Sequence, residues 1–138
     1  MERISMSKPI LTEYADGSKR WYLNGKYHRL DDPAIEYADG STFWCAYGKY
    51  HRVDGPAIER ADGRKEWWLN GLRHRLDGPA RDYPLAGKAW YISDKLHRED
   101  GPAVEFVNGR KEWWLNDKEY TEEEFALIQF MKGNNIYV

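Results

Sequence analysis

Tryptophan recurs at positions 21, 44, 67, 90 and 113, a constant step of 23 residues. The four histidines keep the same step, at 28, 51, 74 and 97. So do Arg29, Arg52, Arg75 and Arg98, then Asp31, Asp54, Asp77 and Asp100, then Pro33, Pro56, Pro79 and Pro102, each proline followed by alanine. The consensus is E-Y-A-D-G-x-K-x-W-W-L-N-G-K-x-H-R-x-D-G-P-A-I. A repeat of this length restricts the chain to architectures in which each unit buries its apolar face on the next.

Each unit carries two turn signals. Asp16-Gly17, Asp39-Gly40, Asp62-Gly63 and Asn108-Gly109 lie between β-type runs and predict tight hairpins. A longer turn opens at Asn24-Gly25 or Asn70-Gly71 and closes at D-G-P, with the proline at a strand start. The expected fold is therefore all-β: an elongated antiparallel meander of stacked hairpins with two strands per repeat. A two-residue D-G loop would place Ile35 opposite Trp44, Ile58 opposite Trp67 and Val104 opposite Trp113. Alternation then assigns Trp21, Trp44, Trp67, Trp90 and Trp113 to a structural core face, with Leu23, Ala46, Leu69, Ile92 and Leu115. Tyr22, Cys45, Trp68, Tyr91 and Trp114 fall on the opposite face. A bulge at the D-G turn would slip this pairing by one residue and mix the faces.

The repeat fails in three places. The half repeat before Gly17 carries one extra residue, and Tyr83-Pro84-Leu85-Ala86-Gly87 moves the fourth unit's glycine by one. Tyr120 stands where histidine is due. Thr121-Glu122-Glu123-Glu124 before an apolar run is a capping-box signature, and Gly133 is a stop signal. The expected organisation is one domain over 1–138: repeats over 9–120, a helix over 121–133 and a tail over 134–138. Phe125, Ile128 and Met131 share one helical stripe, suited to covering the end or core face of the sheet.

In its turns and 23-residue unit the chain resembles the MORN repeat in a degenerate variant form. The resemblance rests on Trp67-Trp68-Leu69-Asn70-Gly71, then His74, Asp77-Gly78 and the D-G turn at Asp62-Gly63, and spans roughly 9–120. The chain departs from that family in having H-R-x-D-G-P-A where the family has H-G-x-G, and in lacking the Y-x-G before the tryptophan. In style it looks closest to small repeat proteins of tailed phages and large DNA viruses. The resemblance implies an elongated sheet that acts as a binding or scaffolding surface, with no catalytic residues; some relatives have been linked to phospholipids.

The chemistry suggested by the residues agrees with a non-enzymatic module. A net charge of −2 offers no field for nucleic acid or an anionic membrane, and aromatics at 15% argue against disorder. No signal-like apolar run occurs in the first residues, so a cytoplasmic protein is expected, in the host cytoplasm if viral. His28, His51, His74 and His97 repeat two strands apart, roughly 10 Å, too far for two of them to share a metal ion, and are expected to tie down the long turns. No metal or cofactor is expected. The arginine row reads either as a phosphate ladder or as Arg–Asp braces, the latter favoured because each arginine has an aspartate nearby. Cys45 reads as a packing residue. The partner surface is expected at Tyr22, Trp68, Tyr91 and Trp114, with Arg52 and Arg75 beside it, for a protein partner or a second copy. The rival readings are a nucleotide or sugar site, or a hydrolytic one, near Pro84–Gly87, and a membrane-lipid module.

Overall fold

A computed structural model describes residues 8–136. Residues 137 and 138 of the expected tail, and the first seven of the N-terminal stretch, lie outside the described residues. The chain forms two compact units, one ending at Leu72 and the other beginning at Arg73. Both are antiparallel β-meanders, and the second carries one C-terminal helix. No helix among the described residues is long and apolar enough to cross a membrane.

In the first unit, Ile10–Glu13, Lys19–Leu23, Ile35–Glu36, Thr42–Phe43, Ile58–Glu59 and Lys65–Glu66 pair in that order. In the second, Arg81–Tyr83, Gly87–Ala89, Val104–Phe106, Lys111–Leu115 and Lys118–Tyr120 do the same. The strands are shorter than the sequence suggests because the tryptophan-bearing strand changes partner at its first tryptophan. Trp44 donates its backbone N–H to the Ala57 carbonyl (2.6 Å), while its own carbonyl accepts from His51 (3.0 Å). Trp90 does the same with Ala103 and His97. Upstream of this node the chain pairs in the main ladder. Downstream it forms a short side hairpin, as Cys45–Ala46 does with Lys49–Tyr50 and Tyr91–Ile92 with Lys95–Leu96.

The D-G turns explain a correction of register. Gly40 N–H bonds to the Tyr37 carbonyl and Tyr37 N–H to the Ser41 carbonyl, so the loop holds three residues, Ala38, Asp39 and Gly40. Gly40 takes φ +94°, which an L side chain resists. This is a turn with a glycine bulge, and it slips the pairing by one. Ile35 faces Phe43 and not Trp44; Ile58 faces Glu66, and Val104 faces Glu112. The faces are consequently exchanged. Ile35, Phe43 and Ile58 form the buried cluster of the first unit, and Tyr27, Tyr37, Tyr50 and Trp68 pack on it. Phe43 meets Tyr37 and Tyr50 edge-on or tilted, and Tyr50 meets Trp68. Burial of Ile35, Phe43 and Ile58 contributes about 1.5–3 kcal/mol for each side chain. In the second unit the interior contains Ala89, Tyr91, Val104, Leu115 and Phe125. The tryptophans at 21, 44, 67, 90 and 113 are half-buried, and of the face expected to be core Leu115 alone is fully buried.

The irregular fourth unit has a local cause. Gly87 sits in a strand beside Glu105 with φ +139°, and a Cβ there would lie 2.1 Å from the Glu105 carbonyl oxygen. The displaced glycine permits this close approach. The helix, α1, spans Glu122–Gly133, with Thr121 as N-cap in a complete capping box and three glutamates in its first turn. It packs on Lys111–Leu115 and Lys118–Tyr120. Phe125 is its buried residue, while Leu127 and Phe130 stay exposed.

The P-A alanines Ala34, Ala57, Ala80 and Ala103 are fully buried. Ala57→Leu is expected to destabilise the protein by about 1–3 kcal/mol through overpacking, read from the denaturant midpoint; an unchanged midpoint would contradict this tight fit.

Acid sensitivity follows from the D-G turns. Hydrogen bonds from Ser18 hold the Asp16 carboxyl below its usual range, and the Ser41 and Arg64 backbones do the same for Asp39 and Asp62. Carboxylates with lowered folded values contribute stability above about pH 4 and lose it as pH falls further. Asn108 makes the same turn with a group that does not titrate, accepting from Arg110 N–H at 2.9 Å. Replacing Asp16, Asp39 and Asp62 by Asn should keep the fold and flatten the loss of urea midpoint between about pH 4 and pH 2. Parallel slopes in the two proteins would rule these carboxylates out.

Candidate interaction surface

The long H-R-x-D-G-P turns build the surface on the tryptophan face. In three of them the arginine lies over the tryptophan ring of its own repeat: Arg29 is 3.9 Å from the Trp21 ring centre, Arg52 4.1 Å from Trp44, and Arg98 3.9 Å from Trp90. Its guanidinium also donates to the carbonyl of the turn's proline, at 3.1 Å for Arg52–Pro56 and Arg75–Pro79 and 3.0 Å for Arg98–Pro102. Asp54, Asp77 and Asp100 take the ion pair at 2.9–3.0 Å. Exposed ion pairs contribute about 0–1 kcal/mol. Stacking on a tryptophan gives about 0.5–2 kcal/mol, so stacking and the carbonyl bond hold the turn more firmly than the charge pair.

This brace accounts for the glycine of D-G-P. Gly55, Gly78 and Gly101 are not in the left-handed region; a Cβ at each would meet the arginine guanidinium carbon at 2.9, 2.8 and 3.1 Å. The glycine leaves room for the arginine. The first repeat has Asp32 in that position, and there Arg29 pairs with Asp32 at 3.3 Å.

The histidines work between repeats. Nδ1 of His28, His51, His74 and His97 accepts the backbone N–H of Tyr47, Asn70, Ser93 and Asn116, at 2.9–3.0 Å. Each donor opens the side-hairpin turn of the following repeat with φ near +50°. Every histidine therefore fixes a left-handed turn 19 residues ahead. Among the described residues no group of three or more His, Cys, Asp or Glu is placed to hold a metal ion.

Two grooves of like construction run between consecutive long turns. The first, of about 450 Å³, is lined by Trp44 and Ala46, by Leu30 on one turn, and by His51 and Val53 on the other. The second, of about 830 Å³, has Trp90 and Ile92 in the equivalent places, with Leu76 on one turn and Glu99 on the other. The turns carry an apolar residue outward at the repeat step: Leu30 is 66% exposed, Val53 84% and Leu76 81%.

The row expected to stay exposed does not form an open strip. Tyr91 and Cys45 are buried, and Tyr22, Trp68 and Trp114 are half-buried, Trp68 against the interior cluster of the first unit. The physical reason is the one-residue slip at the D-G bulge. Arg52 and Arg75 do reach the groove linings, but as braces. Burial pushes the Cys45 thiol up to about 11, so it stays protonated at neutral pH. In the Pro84–Gly87 stretch, the candidate ligand region of the sequence, Pro84, Leu85 and Ala86 form a hairpin loop closed by the Tyr83–Gly87 pair, with Leu85 97% exposed. The recurring apolar residue between Arg and Asp is visible in the sequence, but its exposure could not be read until the brace pinned its neighbours. No protein-family model matches the chain, and no curated protein matches it significantly.

His51→Ala should cost about 1 kcal/mol and speed hydrogen exchange at the Asn70 amide, whose bond it removes. An unchanged Asn70 exchange rate would show that the histidine does not hold that turn.

Proposed function

We propose that the chain is a non-enzymatic, MORN-like protein-binding module that engages its partner through the grooves of its tryptophan face. One observation carries this reading: within the first unit Leu30 and Val53 stand exposed beside a groove floored by Trp44, and within the second Leu76 stands exposed beside one floored by Trp90. Solvent-exposed aliphatic side chains next to half-buried tryptophans are the composition of a binding patch with aromatic anchors. The braces hold the backbone of each turn, so the tips are presented without a large ordering cost on binding. The resemblance to phage and large-virus repeat proteins extends the proposal to an accessory protein, acting in a host cytoplasm, that binds and inhibits or sequesters a host protein.

The test is a triple substitution, Leu30→Asp, Val53→Asp and Leu76→Asp. All three side chains are exposed, so far-UV circular dichroism and the melting temperature should hold while partner capture from native-host lysate is lost. Capture that survives in the folded triple variant would sink the assignment.

A further inference from the structure

The fifth repeat keeps its tryptophan and loses its arginine. Thr121 stands where Arg29, Arg52, Arg75 and Arg98 stand in the preceding units, and the chain enters α1 in place of the H-R-x-D-G-P turn. Trp113 is half-buried and pairs with Tyr120 across the last hairpin. Lys118 Nζ lies over the Tyr120 ring at 5.2 Å, and among the described residues no cation is placed over Trp113. A pocket of about 350 Å³ opens on Trp113 and Tyr120 instead. It shares no lining residue with the two grooves. Its charged lining is four glutamates, Glu112, Glu119, Glu122 and Glu124, against one lysine, Lys111. Glu112 already accepts from Arg110 at 3.0 Å and from Trp114 Nε1 at 2.9 Å, and Glu124 accepts the Thr121 N–H at 3.1 Å. Glu119 and Glu122 are exposed and have no ion-pair partner among the described residues.

We propose that this pocket binds the guanidinium of an arginine side chain of another protein, seated over the Trp113 ring. The chain supplies its own template. In three repeats a guanidinium carbon sits 3.9–4.1 Å from the ring centre of the equivalent tryptophan. Each of those arginines also pairs with a carboxylate, Asp32, Asp54 or Asp100, at 2.9–3.3 Å. The fifth repeat provides the ring at Trp113 and the carboxylates at Glu119 and Glu122, and no arginine of its own. A guanidinium suits this pair better than an ammonium, because its flat face stacks on the ring while its forked edge donates to carboxylate oxygens. Four glutamates against one lysine favour a cation and disfavour a ligand that brings a carboxylate with it. That selects an arginine within a polypeptide, whose backbone carries no charge, over the free amino acid.

The experiment titrates the full chain with N-acetyl-arginine amide and follows the assigned tryptophan indole N–H signals by NMR. Expected is a saturable shift at Trp113 with a Kd of about 1–10 mM, as suits a single side chain, weakening as salt rises. The Trp44 and Trp90 indoles, beneath their own arginines, should stay in place. N-acetyl-lysine amide should bind about threefold more weakly or worse, and neutral N-acetyl-citrulline amide should not bind. Glu119→Gln with Glu122→Gln, which leaves the Thr121–Glu124 capping box intact, should keep the circular dichroism spectrum and weaken binding about tenfold. Trp113→Leu should abolish binding; if that variant does not fold, the glutamine pair decides. No saturable shift at Trp113, equal shifts at Trp44 and Trp90, equal affinity for the citrulline compound, or affinity unchanged in the folded glutamine variant would overturn the proposal. Free arginine binding more tightly than the blocked form would assign the pocket to a small molecule and overturn the protein side chain as its occupant. These readouts are independent of the Leu30, Val53 and Leu76 substitutions, since none of those residues lines the pocket.

Discussion

The arginine lying on the tryptophan is the contact on which each repeat depends. The tryptophan is the node where one strand leaves the main ladder and enters the side hairpin, so its backbone bonds in two directions at once. A node of this kind leaves the following turn long, tied to the next repeat at its arginine, whose backbone N–H bonds to the Trp68 carbonyl at 3.1 Å in the case of Arg52. The guanidinium adds the rest: it reaches the proline carbonyl, the turn aspartate and, for Arg52 and Arg98, Glu59 and Glu105 on the next strand. Lysine could not do this, since a single ammonium has neither the flat face to stack nor the forked donors. The glycine three residues on, and the histidine before it, make sense only around this arginine: one gives it room, the other ties its turn to the next repeat.

Much of the fold was legible from spacing alone. The step of 23, the D-G and N-G turns and the capping box at Thr121 predict hairpins and a terminal helix, and the helix runs over Glu122–Gly133 as the boundary residues suggest. The face assignment was not legible, because it turned on whether Asp39-Gly40 closes a two-residue or a three-residue loop. Both loops suit Asp-Gly, and side chains alternate with a period of two, so one extra residue exchanges inside for outside. The composition of the two rows gave little help: tryptophan stands in both, at Trp67 and Trp68. The arginine braces were legible as Arg–Asp pairs, but their larger component was not. Stacking of Arg52 on Trp44 joins residues eight apart across a turn whose path the sequence does not specify.

The same slip moves the candidate site. The second aromatic of each pair goes inward, where Tyr91 is buried and Trp68 packs on Ile35, Phe43 and Ile58. The first tryptophan becomes a groove floor, partly covered by its arginine. Cys45 fits this exchange: a small apolar side chain in an interior row is a packing variant, and burial keeps its thiol protonated. The carboxylates divide by place as well. Those of the D-G turns accept backbone N–H bonds and serve the fold, whereas those of the long turns pair with a sunken arginine and face solvent.

Repetition also limits what such a surface is suited to do. A catalytic centre needs unlike groups converging on one point, and a repeat delivers like groups at equal intervals. A compact ligand would meet one groove and leave its copies idle. A ligand that reaches both walls of one groove makes its second contact at high effective concentration once the first is made. The second groove departs from this equality: Glu99 replaces the aliphatic tip, and Lys132 pairs with it. That substitution trades apolar contact for charge within the second unit: Leu76 is a bare aliphatic tip, whereas Glu99 is a carboxylate paired with Lys132. A difference of that sort makes the two walls of the second groove unlike, so its ends are chemically distinguishable although the repeat that builds them is regular.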